Sequence, residues 1–271
     1  MKRFIPFLGF GDRDFHLFGH PYALARTALR KSLKQFSPSI PSGPMLDVGC
    51  GTMPYRELFP QAEPYEGLEI NQPRQQNNAR ATYFYDGETF PIESNRFTGI
   101  LCSEVLEHSF VPELLLAECH RVLRPGGRLL LTAPFLWPEH EQPWDSQRFT
   151  HYGLHQRLVN AGFRVERIQK LNPGLTALLQ LSIDWIESGG RRLLCGLPGG
   201  WPRKVCQGVW RLLWWMPYTI LNLVGALSRL MPHGQPISGS LSNGTKIAWT
   251  PELYITNVVL AMKTDCGSDL E

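Results

Sequence analysis

The chain has 271 residues, 43% of them apolar, and a formal net charge of +3. That length suffices for one complete α/β domain plus a substantial appendage, and so small a charge gives no footprint for nucleic acid, which is not expected as a partner. Six cysteines, at positions 50, 102, 119, 195, 206 and 266, form no Cys-x-x-Cys pair, which points to a reducing, cytoplasmic setting without structural zinc.

In chain order, the first ten residues open like a signal peptide, but Pro6 and Gly9 break the apolar run and Asp12, Arg13 and Asp14 follow at once. No cleaved leader is expected. Residues 22–36 place Tyr22, Ala25, Leu29, Leu33 and Phe36 on one helical stripe, with Arg26, Arg30, Lys31 and Lys34 outside it. Ser37-Pro38 ends that helix and opens a Pro/Ser/Gly-rich linker. Strands are expected near 45–48, 65–69, 82–85, 98–102 and 127–133, with helices between them, the clearest over 111–122. Pro125-Gly126-Gly127 makes the stop before the fifth strand. Residues 162–168 alternate as a further strand, and 254–263 return to strand character after a long irregular stretch. Such alternation implies a parallel sheet with helices on both faces.

The most informative local pattern is Leu46-Asp47-Val48-Gly49-Cys50-Gly51, followed eighteen residues later by Glu69 at the end of a second apolar segment. A turn at the carboxyl end of a parallel strand admits a ligand against bare backbone only where no Cβ intervenes. A carboxylate at the tip of the neighbouring strand can accept both hydroxyls of a ribose. The third glycine of a dinucleotide fingerprint is missing, since the run continues Thr52-Met53-Pro54, and no Gly-Lys-Ser/Thr follows. The pocket therefore suits a nucleoside without a pyrophosphate.

Three further blocks keep register with that turn: Asp86-Gly87-Glu88-Thr89-Phe90-Pro91, then Ile100-Leu101-Cys102-Ser103-Glu104-Val105-Leu106-Glu107-His108, then Arg121-Val122-Leu123-Arg124-Pro125-Gly126-Gly127-Arg128-Leu129-Leu130-Leu131. With these blocks, residues 46–163 resemble a class I S-adenosylmethionine-dependent methyltransferase of the type 11 kind. The resemblance implies an α/β, Rossmann-like fold: a seven-stranded, mostly parallel sheet whose last strand, 254–263, is antiparallel and lies between the fifth and sixth. It also implies three parts. Residues 1–44 form an N-terminal helical segment, either a lid over the cofactor or a plain packing helix. Residues 45–171 with 251–264 form the cofactor-binding domain, and 172–250 form a Trp/Leu-rich helical insertion.

By the same resemblance the cofactor is S-adenosylmethionine. Gly49 and Gly51 let the backbone approach it, Asp47 orders the turn, and Glu69 takes the ribose hydroxyls. Asp86 accepts from the adenine amino group, or else serves only as a turn residue, with Gly87 beside it. Ser103 and Glu104 line the methionyl end facing the acceptor. Glu107 and His108 follow on the next turn and stay outside the chemical step.

The acceptor side is expected in the segment after the fifth strand. Its His140-Glu141, Pro143, Asp145, Arg148-Phe149-Thr150 and Gly153-Leu154 resemble a subgroup of bacterial methyltransferases associated with polysaccharide and glycolipid assembly. Transfer to a hydroxyl benefits from a base, and His140 is the first candidate. Asp145 would orient it or act as the base itself, and Arg148 would hold an anionic acceptor or lock Asp145; a purely structural Asp145–Arg148 pair is the plain alternative. Trp144 stands where His-Glu-x-x-His needs its second histidine, so no metal is expected.

Residues 212–227 carry no charge, and Trp201, Trp210, Trp214 and Trp215 cluster with Arg191, Arg192, Arg203, Lys204 and Arg211. That composition suits peripheral contact with the inner face of a membrane, and slightly better internal packing or a homodimer. The run is too short, and too broken by Pro217 and Asn222, for a span. The expected activity is O-methylation of a small-molecule, sugar or lipid-linked glycan acceptor. A non-catalytic scaffold docking through the Trp-rich insertion is the alternative.

Overall fold

A computed structural model describes residues 21–72, 80–195, 201–228, 237–240, 246–249 and 253–264; several side chains between 191 and 215, and those of 237–240 and 246–249, fall outside that description. The chain divides into two compact units. Among the described residues, the first contains Leu29–Leu171 and returns at Thr256; the second contains Asn172–Ile255 and residues 21–28.

The first unit is built on strands β1 (Gly43–Val48), β2 (Ala62–Ile70), β3 (Tyr83–Tyr85), β4 (Phe97–Ser103), β5 (Leu123–Pro134) and β6 (Phe163–Leu171), joined by β9 (Thr256–Lys263) from the far end of the chain. Their order is β3-β2-β1-β4-β5-β9-β6, and β9 runs antiparallel to both β5 and β6. This is the expected Rossmann-like arrangement with its one reversed strand inserted. Successive residues, Leu46, Asp47 and Val48 in β1 and Ile100, Leu101 and Cys102 in β4, are buried, because helices cover both faces of a parallel sheet and leave no face for polar alternation. β1 pairs with β2 on one side and β4 on the other. Connections leave it in both directions and open a crevice at the strand ends.

Helix α1 (Ala23–Phe36) ends where Ser37-Pro38 forbids another turn. Helix α2 (Pro112–Val122) starts with proline at its first turn and buries Leu115, Leu116, Cys119 and Val122, the spacing of a single apolar face. Helix α3 (His151–Asn160) is capped by the Thr150 hydroxyl, which accepts from the Gly153 N–H. One boundary differs from expectation. Pro125-Gly126-Gly127 lies inside β5, whose pairing with β4 jumps from Phe97↔Leu123 to Gly99↔Arg128. Leu123 already pairs, so the glycines, Gly126 at φ +73°, form an out-of-register loop within the strand rather than its beginning.

The second unit holds helices α4 (Leu175–Cys195) and α5 (Trp201–Ser228) and a two-stranded antiparallel sheet, β7 (Ile237–Ser240) with β8 (Lys246–Trp249). The helices meet through Ile183 and Tyr218, joined by Leu24, with Leu179, Ile186, Trp214 and Leu221 against them. Trp210, Trp214 and Tyr218 recur every four residues, Trp210 tilted against Trp214 at 5.5 Å and Trp214 stacked on Tyr218 at 6.0 Å. Trp210 covers Gly190, where a Cβ would come within 2.1 Å of the indole. The side chains of Trp201, Trp215, Arg191, Arg203, Lys204 and Arg211 lie outside the described residues. No helix among the described residues is long and apolar enough to cross a membrane.

Candidate active site

The turn after β1 is closed by main chain: the N–H groups of Gly49 and Cys50 both donate to the Leu68 carbonyl of β2, at 2.8 and 3.2 Å. Gly49 adopts φ +66° and presses so closely on Val105 that a Cβ would meet its Cγ2 at 2.3 Å. Gly51, at φ +46°, faces open space, with nothing within 4 Å of where its Cβ would stand. One glycine is needed for packing and the other leaves a bare approach to the backbone.

Glu69 closes the facing side. One oxygen accepts from the Gly51 N–H at 3.0 Å and the other from the Ile70 N–H at 3.1 Å, which leaves each oxygen lone-pair capacity for a ligand hydroxyl. Burial raises its pKa, and repulsion from Glu141 adds to the shift. Asp47 does not order the turn as expected. Its carboxyl reaches across to β2 and accepts from the Tyr65 hydroxyl at 2.8 Å. Burial, reinforced by Glu69, pushes it up to about 8 against the pull of that hydrogen bond. Asp86 is exposed and accepts from the N–H groups of Glu88 and Thr89 at 2.9 and 3.1 Å. It therefore acts as a turn residue, and an adenine contact would share its carboxylate with that turn. Gly87 beside it takes φ +102°.

At the end of β4, Ser103 pairs with Thr132 of β5. The Thr132 hydroxyl donates to Glu104 Oε1 at 2.9 Å, so the 3.0 Å contact from Ser103 Oγ is a donation to Thr132. Glu104 is held at φ +55°, and its N–H is tied to Thr132. Burial raises its carboxyl to about 7 against the opposing effects of Thr132 and Arg148. Thr132 is fully buried and was not anticipated; the one polar side chain in Leu129-Leu130-Leu131-Thr132-Ala133 is the signal that marks it.

His140, Asp145 and Arg148 come together as one unit. Asp145, 1% exposed, pairs with both terminal nitrogens of Arg148 at 2.6 Å and accepts from the His140 main-chain N–H at 2.8 Å. Burial opposes its ionisation, yet these partners hold the carboxyl below the ordinary range, so it is a poor base. All five N–H donors of Arg148 are engaged: two by Asp145 and one each by the carbonyls of Trp137, Pro138 and Gln147. It has none left for an anionic acceptor and locks the loop instead. His140 Nδ1 faces Asp145 Oδ2 at 3.1 Å and the Pro138 carbonyl at 3.3 Å. Both are acceptors, so Nδ1 carries a proton, and in the neutral ring Nε2 is the nitrogen left to accept. The loop is pinned to the segment after β4 by Ser146, whose N–H and hydroxyl both donate to the Glu107 carbonyl.

The arrangement fits S-adenosylmethionine on its own terms: open backbone at Gly51, and on Glu69 a pair of acceptor oxygens held beside it. The comparisons with known proteins agree. Residues 46–131 match the family model described as a methyltransferase domain. A malonyl-[acyl-carrier protein] O-methyltransferase of Alcanivorax borkumensis is 30% identical over 142 residues, 48% of each chain; the chain spans about half the length of this curated relative. Among solved structures, a Bacillus halodurans protein assigned as a methyltransferase superposes with TM-score 0.51 at 15% identity, covering 87% of this chain and 99% of the other. A Galdieria sulphuraria protein assigned as a sarcosine dimethylglycine methyltransferase also gives 0.51, at 13% identity, covering 90% and 87%. Residues 46–131 are thus a methyltransferase domain by family match, and the seven-stranded sheet around them has the Rossmann-like fold of S-adenosylmethionine-dependent methyltransferases, whose cofactor, S-adenosylmethionine, the strand-tip crevice suits.

Proposed function

We propose that the chain transfers a methyl group to an oxygen, on a small-molecule, sugar or lipid-linked glycan acceptor. Gly49 and Gly51 would receive the donor against bare backbone, Glu69 would take its ribose hydroxyls, Asp86 and Gly87 would flank the base, and Ser103 and Glu104 the methionyl end. When bound, the donor supplies a methyl carbon made electrophilic by its positive sulfur, so the protein's tasks are alignment and removal of the acceptor's proton. The observation that carries the oxygen reading is the His140–Asp145–Arg148 unit. Asp145 fixes the imidazole with Nδ1 protonated, leaving Nε2 to accept the hydroxyl proton as the oxygen attacks. The Alcanivorax relative, an O-methyltransferase by description, supports an oxygen acceptor.

Incubating extracts and defined glycans with isotopically labelled donor, followed by mass spectrometry, tests the activity and identifies the acceptor together. His140→Ala is expected to lower turnover by about 10²-fold or more, the usual contribution of a positioned base, with donor affinity unchanged. A variant with wild-type turnover removes His140 from the chemistry.

The insertion adds an association surface. Leu213, Met216, Ile220, Leu223 and Leu227 are all exposed on α5, and their alternating spacing of three and four is that of a helix-pairing seam. This row favours a second copy over a bilayer as its partner, with peripheral contact at the inner face of the membrane as the competing occupant.

A further inference from the structure

Glu107 is fully buried, and neither carboxylate oxygen has a hydrogen-bond partner. Such a group is costly to keep unless something else satisfies it. Its neighbours are two imidazoles. His108 Nε2 lies 3.8 Å from Glu107 Oε1, and the His108 and His140 rings meet edge to face at 4.9 Å. One ligand atom from each of Glu107, His108 and His140 falls within 4.8 Å of the others. A carboxylate and two imidazoles converging in this way form the donor set of an open, three-ligand divalent metal site. His140 also has the support such a ligand needs: its Nδ1 side is held by Asp145, which is locked in turn by Arg148. This is the carboxylate–histidine–metal arrangement that orients a ligating ring.

We propose that Glu107, His108 and His140 bind a divalent transition-metal ion, of which Zn²⁺ is the best match to the ligand set. Glu107 and His108 follow the end of β4 and His140 comes from the acceptor loop pinned to them, so an open position on the ion would be the place for an acceptor oxygen. The inference rests on the methyltransferase reading and deepens it. One ring nitrogen cannot ligate a cation and accept a proton at once, so with metal bound, His140 acts as ligand. The cation then acidifies the acceptor hydroxyl: the oxygen–methyl bond forms, the carbon–sulfur bond breaks, and the proton leaves to solvent.

The test uses the full chain, stripped with chelator and titrated with Co²⁺ as a spectroscopic stand-in for Zn²⁺. Expected is one equivalent bound with visible d–d bands and without the charge-transfer band that cysteine ligation would give. Glu107→Gln and His140→Ala should each abolish that signal, and Asp145→Asn should weaken binding about tenfold or more. Zn²⁺ should raise the melting temperature of the parent but not of Glu107→Gln, a near-isosteric change that should fold. Absence of binding, a thiolate band, or binding unchanged in Glu107→Gln and His140→Ala would each overturn the proposal. Donor affinity and turnover measured on the same metal-free protein separate the two readings. Full turnover without metal refutes the cation and keeps His140 as base, whereas loss of donor binding refutes the methyltransferase reading itself.

Discussion

Asp47 and Glu69 stand on adjacent strands, each raised chiefly by burial, with Glu69 adding to the rise of Asp47, and Glu104 is raised by burial as well. In each case the folded pKa lies above the unfolded one. Between the ordinary carboxyl range and about pH 8, the native state therefore holds protons that the unfolded chain has released, and stability falls as pH rises through that window. Asp47→Asn removes the member pushed up furthest, to about 8, while keeping an acceptor for Tyr65. It should flatten the decline in urea midpoint between about pH 5 and about pH 8, and saturating cationic donor should flatten it in the parent as well. A decline unchanged in Asp47→Asn would mean that Asp47 is ionised in the donor-free protein. The pairing of Gly51 with Glu69 was legible in the sequence, because a strand, a glycine turn and an acid at the next strand tip form a local pattern. Thr132 and Glu107 were not. Thr132 acts through a cross-strand partner, and Glu107 acquires its neighbours only when a loop more than thirty residues away folds over it.

Among the elements, the segment between β5 and α3 decides whether the site is assembled. Its conformation rests on Arg148, whose guanidinium ties Asp145 to three carbonyls of the same loop. Removing it leaves a carboxylate 1% exposed without its countercharge. Arg148→Ala should destabilise the protein on the order of 2 kcal/mol, below the cost of breaking a fully buried pair because Arg148 is 24% exposed. Turnover should fall while donor affinity holds, since the glycine turn and Glu69 draw on other elements. Equal loss of donor affinity would show that the loop shapes the donor crevice too. The motif His140–Asp145–Arg148 was visible as spacing, but which partner used Arg148 was not, because that depends on where five donors point. The extent of β5 was misjudged for a similar reason: Gly126 and Gly127 read as a stop, whereas pairing of Leu123 with Phe97 carries the strand back past them.

For the whole molecule, the tryptophans of the insertion suited packing or a dimer slightly better than a bilayer, and Trp210 and Trp214 pack within the unit, on Gly190 and Tyr218, while the exposed row is aliphatic. The short hairpin of β7 and β8 escaped notice because four-residue strands leave too little alternation to read. Leu213→Ser with Ile220→Ser should abolish self-association in sedimentation without altering the fold, since both side chains are more than half exposed. Association that survives the pair, or flotation of the parent with anionic vesicles, would assign the row to another surface or to a membrane. The central claim concerns the crevice at the strand tips, and equilibrium binding of S-adenosylmethionine to the parent, Glu69→Ala and Gly51→Val tests it most directly. Binding to the parent that Glu69→Ala weakens by at least about tenfold, roughly the loss of one charge-assisted hydrogen bond, and that Gly51→Val abolishes is the outcome expected. Equal affinity in all three proteins would contradict the account.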